Sequence, residues 1–457
     1  MAATAGRLHL RSSGDPIARV PKTHLQKDSL LSSFNAETAA ALGGPEWLRR
    51  RREAAAERFA ASDLPTPDEE VWRYSLVSEL DLDSWTPLRG TSAPSGDRGS
   101  SDEPDLPVAT GVTVDVIDGV PAIGQLPPTW VEKGVVVAAA SQLDEAQAGL
   151  GSVAGDGPDV FATLNDAFAL DPIVVTVPRG VRLAEPILIT NRATAAGNAV
   201  FPRLVVQVGE GADVTIVDRI VSDGDHAALS VPLTELRVAR GGRLGYLHVQ
   251  DMNSSSWQVG SLVADVAQEA TLAAALVGLG GHYARLRTDC RMSGRGAHGD
   301  LYAAYFGDGD QTLDFRTFQH HDAPDTTSNL LFKGAVGGRS RSIYTGLIKV
   351  AKEARGTNAF QTNRNVKLSD TAWAESVPNL EIETNDVRCS HASTVGPVDP
   401  EQRFYLESRG VRPADADRLI LIGFFDEVMR ALPAPELVEP VRVRIANKLD
   451  GVAEDLR

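Results

Sequence analysis

Cys389 and His391 stand two residues apart in 386–396 (DVRCSHASTVG), the segment of this chain densest in chemically useful groups. On an extended strand that spacing puts both side chains on one face, ~7 Å apart along the chain. Thiolate and imidazole are good donors to iron, zinc or copper(I). A closed tetrahedral site takes four ligands, and Cys290, the one other cysteine, lies three corners away in the reading below. A metal site at this pair would draw its remaining ligands from a partner chain or from remote carboxylates. The same spacing also fits a buried cysteine beside a hydrogen-bonded histidine.

Other motifs carry less. Gly294 to Gly299 (GRGAHG) spells G-x-G-x-x-G, but 301–306 after it is strand-like, so no helix N-terminus faces a pyrophosphate. These glycines read as a corner of the fold. The chain has no G-x-x-x-x-G-K-[ST] loop, so any ATP hydrolysis must come from another chain. Adjacent His320 and His321 with Asp322 would diverge on a strand and are read as part of a polar loop. The run Arg49 to Arg52 reads as a solvated helix face, because Glu53 and Glu57 lie within a turn of it.

The elements that must position the pair recur along the chain. From about residue 172, short apolar runs (IVVTV, PILIT, LVVQV) alternate with small-residue turns. Turn to turn, the spacings are 31, 30, 28, 27, 41 and 33 residues. Strands on a period near thirty without helices predict a stacked solenoid, because one coil alone cannot bury its apolar face. A β-sandwich would show strands every 8–12 residues without that longer period. The 41-residue step predicts an insertion at 307–329. Residues 36–80 read as helical, and helices return after 399. There Asp399 is a cap with Pro400 behind it, and Ala416, Leu419, Ile420 and Phe424 form one apolar face. The expected organisation is 1–85 tail and helical region, 86–110 flexible linker, 111–170 mixed lead-in, 171–398 parallel β-helix, and 399–457 helical domain.

Composition sets the outer bounds. With 457 residues, 45 Lys+Arg and 61 Asp+Glu, the net charge is −16, which argues against a nucleic-acid carrier. Two cysteines suit a reducing compartment. The longest apolar runs, 134–140 and 419–425, are far shorter than the ~18 residues of a spanning helix, and the basic first 27 residues read as a tail of a cytosolic protein.

Several segments in order resemble the SufB/SufD family of iron–sulfur cluster assembly proteins. They are 45–74, 161–190, 333–349 (KGAVGGRSRSIYTGLIK), 355–363 (RGTNAFQTN), 379–396 (NLEIETNDVRCSHASTVG) and 402–410 (QRFYLESRG). Ala392 follows the histidine where SufB types carry an acid, so the resemblance is to SufD. It implies a mainly β protein, a right-handed parallel β-helix flanked by N- and C-terminal helical regions. It implies a cytoplasmic, non-catalytic scaffold paired with a SufB-like paralogue and a SufC-like ABC ATPase, with no nucleic-acid or membrane partner. His391, with Cys389, would face a transient iron–sulfur cluster at the paralogue junction, none being held stably by this chain alone. The ATPase would dock on the C-terminal helices, where Phe404, Tyr405, Arg409, Leu419 and Phe424 are the contact candidates. Those helices are expected to be removable without unfolding the β-helix. Two other classes fit a β-helix: a polysaccharide-active enzyme using Asp308, Asp310, Asp314 and His320, or a purely structural dimerisation module.

Overall fold

The computed structural model describes residues 33–88 and 110–455; the expected N-terminal tail and most of the expected linker lie outside them. The chain winds a parallel β-solenoid of about 8 turns, with helices before and after it. Each turn gives one strand to each of two facing sheets. From the C-terminal end, the first sheet runs Trp373–Ile382, Arg341–Val350, Thr312–His321, Tyr283–Met292, Trp257–Val266, Leu233–Val238, Arg203–Val208, Ile173–Val177. The second runs Val387–Pro397, Thr357–Lys367, Thr327–Val336, His298–Gly307, Thr271–Gly278, Arg243–Asp251, Asp213–Ser222, Ile187–Ala193. Successive coils pair in parallel register, so like positions stack into columns through a shared bore.

One corner explains the period and corrects the expected insertion. Residues with left-handed backbone recur there at Gly180, Gly211, Gly241, Glu269, Gly296, Asp325 and Gly356, in steps of 31, 30, 28, 27, 29 and 31. Each N–H donates to a corner carbonyl of the next coil, as Gly180 does to Glu210 at 2.8 Å and Asp325 to Arg355 at 2.8 Å. Glycine adopts this conformation without steric cost. Asp325 occupies it with φ +60°, so the sequence offers no glycine at that corner. The 41-residue step arose by passing over Asp325 to Gly338, which belongs to a different corner, against Gly309. Residues 307–329 contain no insertion: they are ordinary strands, Thr312–His321 and Thr327–Val336, with short turns.

The N-terminal end of the solenoid is closed. Val136–Ala139 lies antiparallel on Ile173–Val177, and the hairpin of Val112–Ile117 with Val120–Ile123 covers the second sheet. Trp130, from the short helix Pro128–Glu132, is 4 % exposed and joins the aliphatic core of the bore. Gly111 is needed beneath it, since a Cβ there would sit 2.1 Å from the indole ring.

The N-terminal region lies on the first sheet's outer face, where Phe59, Trp72, Phe161 and Phe168 meet Phe201, Val259 and Tyr283. Glu46–Ala61 is its long helix; residues 62–85 form only single 3-10 turns rather than the continuous helical region expected. The arginine run is only partly a solvated face. Arg52, 1 % exposed, donates to the carbonyls of Gly43, Ala169 and Leu170, and burial lowers its pKa to about 10. Arg51 Nε binds Asp166 at 2.6 Å. Farther along, buried Asp314 accepts from Arg285, Arg316 and Tyr283, and the two arginines reach the carbonyls of Val71 and Arg73. Arg285 also lies 3.8 Å over the Trp72 ring. Thr86–Pro87, inside the expected linker, pairs with Asn198–Val200.

The C-terminal helices Pro413–Met429 and Val438–Asp455 cover the second sheet's outer face. Their buried stripe is Leu421, Phe425, Val428, Met429, Val441, Ile445 and Leu449, set against Leu247, Val277, Phe306 and Ala335. The expected stripe is displaced: Ala416 is buried, but Leu419 is exposed. In a helix reading LILIGFF, apolar residues surround the axis and periodicity cannot choose a face. Lys333 Nζ fastens the contact through the Phe424 carbonyl and Glu427, each at 2.8 Å, and Lys448 through Asp308 at 2.9 Å and Gln311 at 2.7 Å. Removing these helices would bare that apolar face, so they are not separable in the way the sequence suggests.

Candidate functional site

The geometry of the Cys389–His391 pair follows from one stacked column. Ile216, Tyr246, Ala274, Leu301, Leu330, Gln361 and His391 occupy the same register position in successive coils. The first six are almost wholly buried in the bore, whereas His391 at the top of the column is exposed. Nothing among the described residues stacks on it. Cys389, in register with Ala359, is half-buried and packs beside Ile348, Val350 and Leu380. Burial raises its thiol pKa, opposed by a hydrogen bond with the Ala359 backbone. The two donors thus share the bore-facing side of the last strand, as their spacing predicts.

Both sheets end bare here. Among the described residues, Val387–Pro397 pairs with Thr357–Lys367 alone, and Trp373–Ile382 with Arg341–Val350 alone. Every residue of these two strands is exposed or half-buried. Unpaired edges of this length are templates for pairing with another chain. The sequence reading missed the edges, although the break from strand to helix at Pro400 was the available signal.

Cys290 is not brought to the pair. It is fully buried on Tyr283–Met292 of the other sheet, with Met292 Sδ at 3.7 Å, and burial pushes its thiol up to about 12, with Asp300 adding to the shift. Among the described residues, no three His, Cys, Asp or Glu side chains converge to hold a metal ion.

His320 and His321 lie on the strand Thr312–His321 rather than in a loop, and they diverge. His321 is buried, its nitrogens paired with the hydroxyls of Thr326 at 2.9 Å and Ser328 at 3.0 Å, and burial lowers its pKa to about 4. His320 faces outward, with a pKa lowered by partial burial. The acids offered as glycosidic groups are dispersed. Asp314 is buried beneath the 71–73 segment, Asp308 pairs with Lys448, and Asp310 pairs with Arg339 on the surface. Among the described residues each of these acids is engaged by a different partner, so the structure does not support the polysaccharide reading. Gly294 to Gly299 forms the expected corner, followed by the strand His298–Gly307.

The C-terminal helices present a second surface. Phe404, Tyr405 and Leu419 are 72 %, 58 % and 53 % exposed, and Arg409 stacks 5.3 Å over the Tyr405 ring. Phe424 differs from these in being half-buried, with Lys333 Nζ 5.0 Å over its ring. Tyr405, Leu406, Leu419 and Phe424, with Lys333 and Arg364, line a cleft of about 840 Å³ between the helices and the second sheet. No helix among the described residues is long and apolar enough to cross a membrane.

Fold and site together define a β-solenoid that carries a thiol and an imidazole at its uncapped end. Residues 190–424 match the family described as "SUF system FeS cluster assembly, SufBD core domain", and residues 28–189 match "SufBD protein N-terminal region". The chain belongs to the SufBD family of iron–sulfur cluster assembly proteins. An iron–sulfur cluster assembly SufBD family protein of Mycobacterium tuberculosis is 34 % identical over 298 residues, covering 64 % of this chain and 73 % of the relative. The iron–sulfur cluster assembly protein SufD of Escherichia coli is 27 % identical over 401 residues, covering 87 % and 92 %. A SufBD family protein of Synechocystis is 25 % identical over 411 residues, covering 85 % and 88 %.

Proposed function

We propose that this chain is the SufD-type, non-catalytic scaffold subunit of a cytoplasmic iron–sulfur cluster assembly complex. Its open end pairs with a SufB-like paralogue, and His391 with Cys389 contributes donors to a nascent cluster that the partner completes. The cluster is cargo rather than a resident cofactor. The observation that carries this reading is the placement of a thiol and an imidazole on a strand whose outer edge is unpaired among the described residues, where a second chain adding to the edge would bring the ligands this chain lacks.

ATP hydrolysis belongs to a SufC-like ABC ATPase docked on the C-terminal helices, through Phe404, Tyr405, Arg409 and Leu419 at the rim of the cleft. Phe424 supports that surface from beneath. Only a difference in how the ATPase grips these helices in its two nucleotide states can do work on the scaffold. Because Lys333 and Lys448 fasten the helices to the solenoid, that work reaches its coils and shifts the two open ends relative to one another.

Anaerobic co-expression with both candidate partners tests the assignment, with complex mass, iron and sulfide measured. Cys389→Ser with His391→Ala should leave the complex intact and remove bound iron and sulfide. Unchanged iron in an intact complex would refute the ligand roles. Phe404→Ala with Leu419→Asp should release the ATPase alone; its retention would refute the docking surface.

A further inference from the structure

Deep in the closed half of the bore sits a carboxylate that neither the cluster reading nor the docking surfaces use. Asp218 is 2 % exposed on Asp213–Ser222 and faces the interior. Asn191 Nδ2 donates to its Oδ1 at 3.0 Å, and the Tyr246 hydroxyl donates to its Oδ2 at 2.7 Å. His248 Nδ1 lies 3.5 Å from the same Oδ2. Thr234 extends the cluster, its hydroxyl 3.4 Å from that of Tyr246.

Two small chambers adjoin these groups, each of about 10 Å³. One touches Asp218, Asn191 and Thr234; the other touches Asn191 and Ser230. Ser230 is 0 % exposed, and its Oγ has no hydrogen-bond partner among the described residues; buried His248 Nε2 has none either. A chamber of this size holds one water, which takes ~10–15 Å³ by the same measure. Chambers that stay dry are lined by carbon, whereas these carry a carboxylate, an amide and hydroxyls. A buried hydroxyl without a partner is costly, and a bound water removes that cost.

We infer that the closed half of the solenoid contains a built hydration site: two ordered waters, one bridging Asp218 and Asn191 to Thr234, the other bridging Asn191 to Ser230. The first water completes the hydrogen bonding around Asp218, so that a carboxylate is accommodated between strands whose neighbours are aliphatic, and the second gives the Ser230 hydroxyl a partner. Toward the open end, Leu262, Ala274, Leu276 and Leu286 follow across the bore. These side chains fill the bore between the site and His391.

The test is a crystal structure of the full chain at a resolution that shows ordered solvent, with a parallel crystal pressurised with xenon. One peak is expected in each chamber, ~2.7–3.2 Å from the polar atoms named, with no xenon bound. Featureless density, or xenon in either chamber, overturns the inference. Ser230→Ala should abolish the second peak and leave the first. Persistence of the second peak at full occupancy would overturn the role of Ser230 as its ligand.

Discussion

At its N-terminal end the solenoid covers its backbone edges with antiparallel strands, Val136–Ala139 and Val120–Ile123, and buries Trp130 among the first coils. At its C-terminal end, strands of 10 and 11 residues have one edge bare among the described residues, and the column that was Leu330 and then Gln361 finishes in exposed His391. The same repeating geometry is therefore finished at one end for stability and left unfinished at the other. Soft donors occur at the unfinished end, on a face that a further coil would have buried. A stacked fold can in this way make a binding surface simply by stopping.

The largest effect expected at the closed end comes from Trp130→Ala, which should destabilise the chain by ~3–5 kcal/mol in denaturant titration, as large aromatic truncations do. His391→Ala at the other end should change stability by less than ~0.5 kcal/mol. Equal losses would remove the contrast. Of the same size, Arg285→Ala should cost ~3–5 kcal/mol, because Asp314 is then left buried with one cation fewer. Limited proteolysis should show residues 62–85 cut first.

Acid sharpens the same contrast. Burial alone would raise the pKa of Asp314, but Arg285 and Arg316 more than reverse this and hold it below the usual carboxylate value; Arg203 and three backbone N–H groups do the same for Glu235. Both contribute stability that is fully present above the unfolded value of ~4 and lost as pH falls through the lower folded value. Tryptophan fluorescence should therefore report release of the Trp72 segment in acid before the solenoid unfolds. The smallest effect on stability is expected from Val395→Lys on the bare edge, within ~0.5 kcal/mol, with partner affinity nonetheless reduced ~10-fold because edge lysines oppose strand addition. Unchanged affinity in a binding titration would show that the edge is not the contact.

Much of this was legible from residues alone. The period near thirty gave the solenoid, and the two-residue step from Cys389 to His391 gave their shared face. The corner at Asp325 was hidden because an aspartate there adopts the conformation that glycine marks at five of the seven positions. Leu419 was misplaced because its helix is apolar on every side. Arg51 and Arg52 read as solvated because their acceptors, Asp166 and the carbonyls of Ala169 and Leu170, are more than a hundred residues distant. Which polar groups meet in the bore, such as Asp218 with Tyr246, depends on register between coils, and no local pattern encodes it.

The bare edges have a consequence for how the chain must be supplied in the cell. Two long strands, each with one side unpaired among the described residues, can accept an extended backbone, including that of another copy, so on the pairing proposed above an excess of this chain over a partner is an aggregation hazard. Under that proposed pairing, matched synthesis of the two chains would be a requirement of the fold itself, imposed by geometry before any regulation acts.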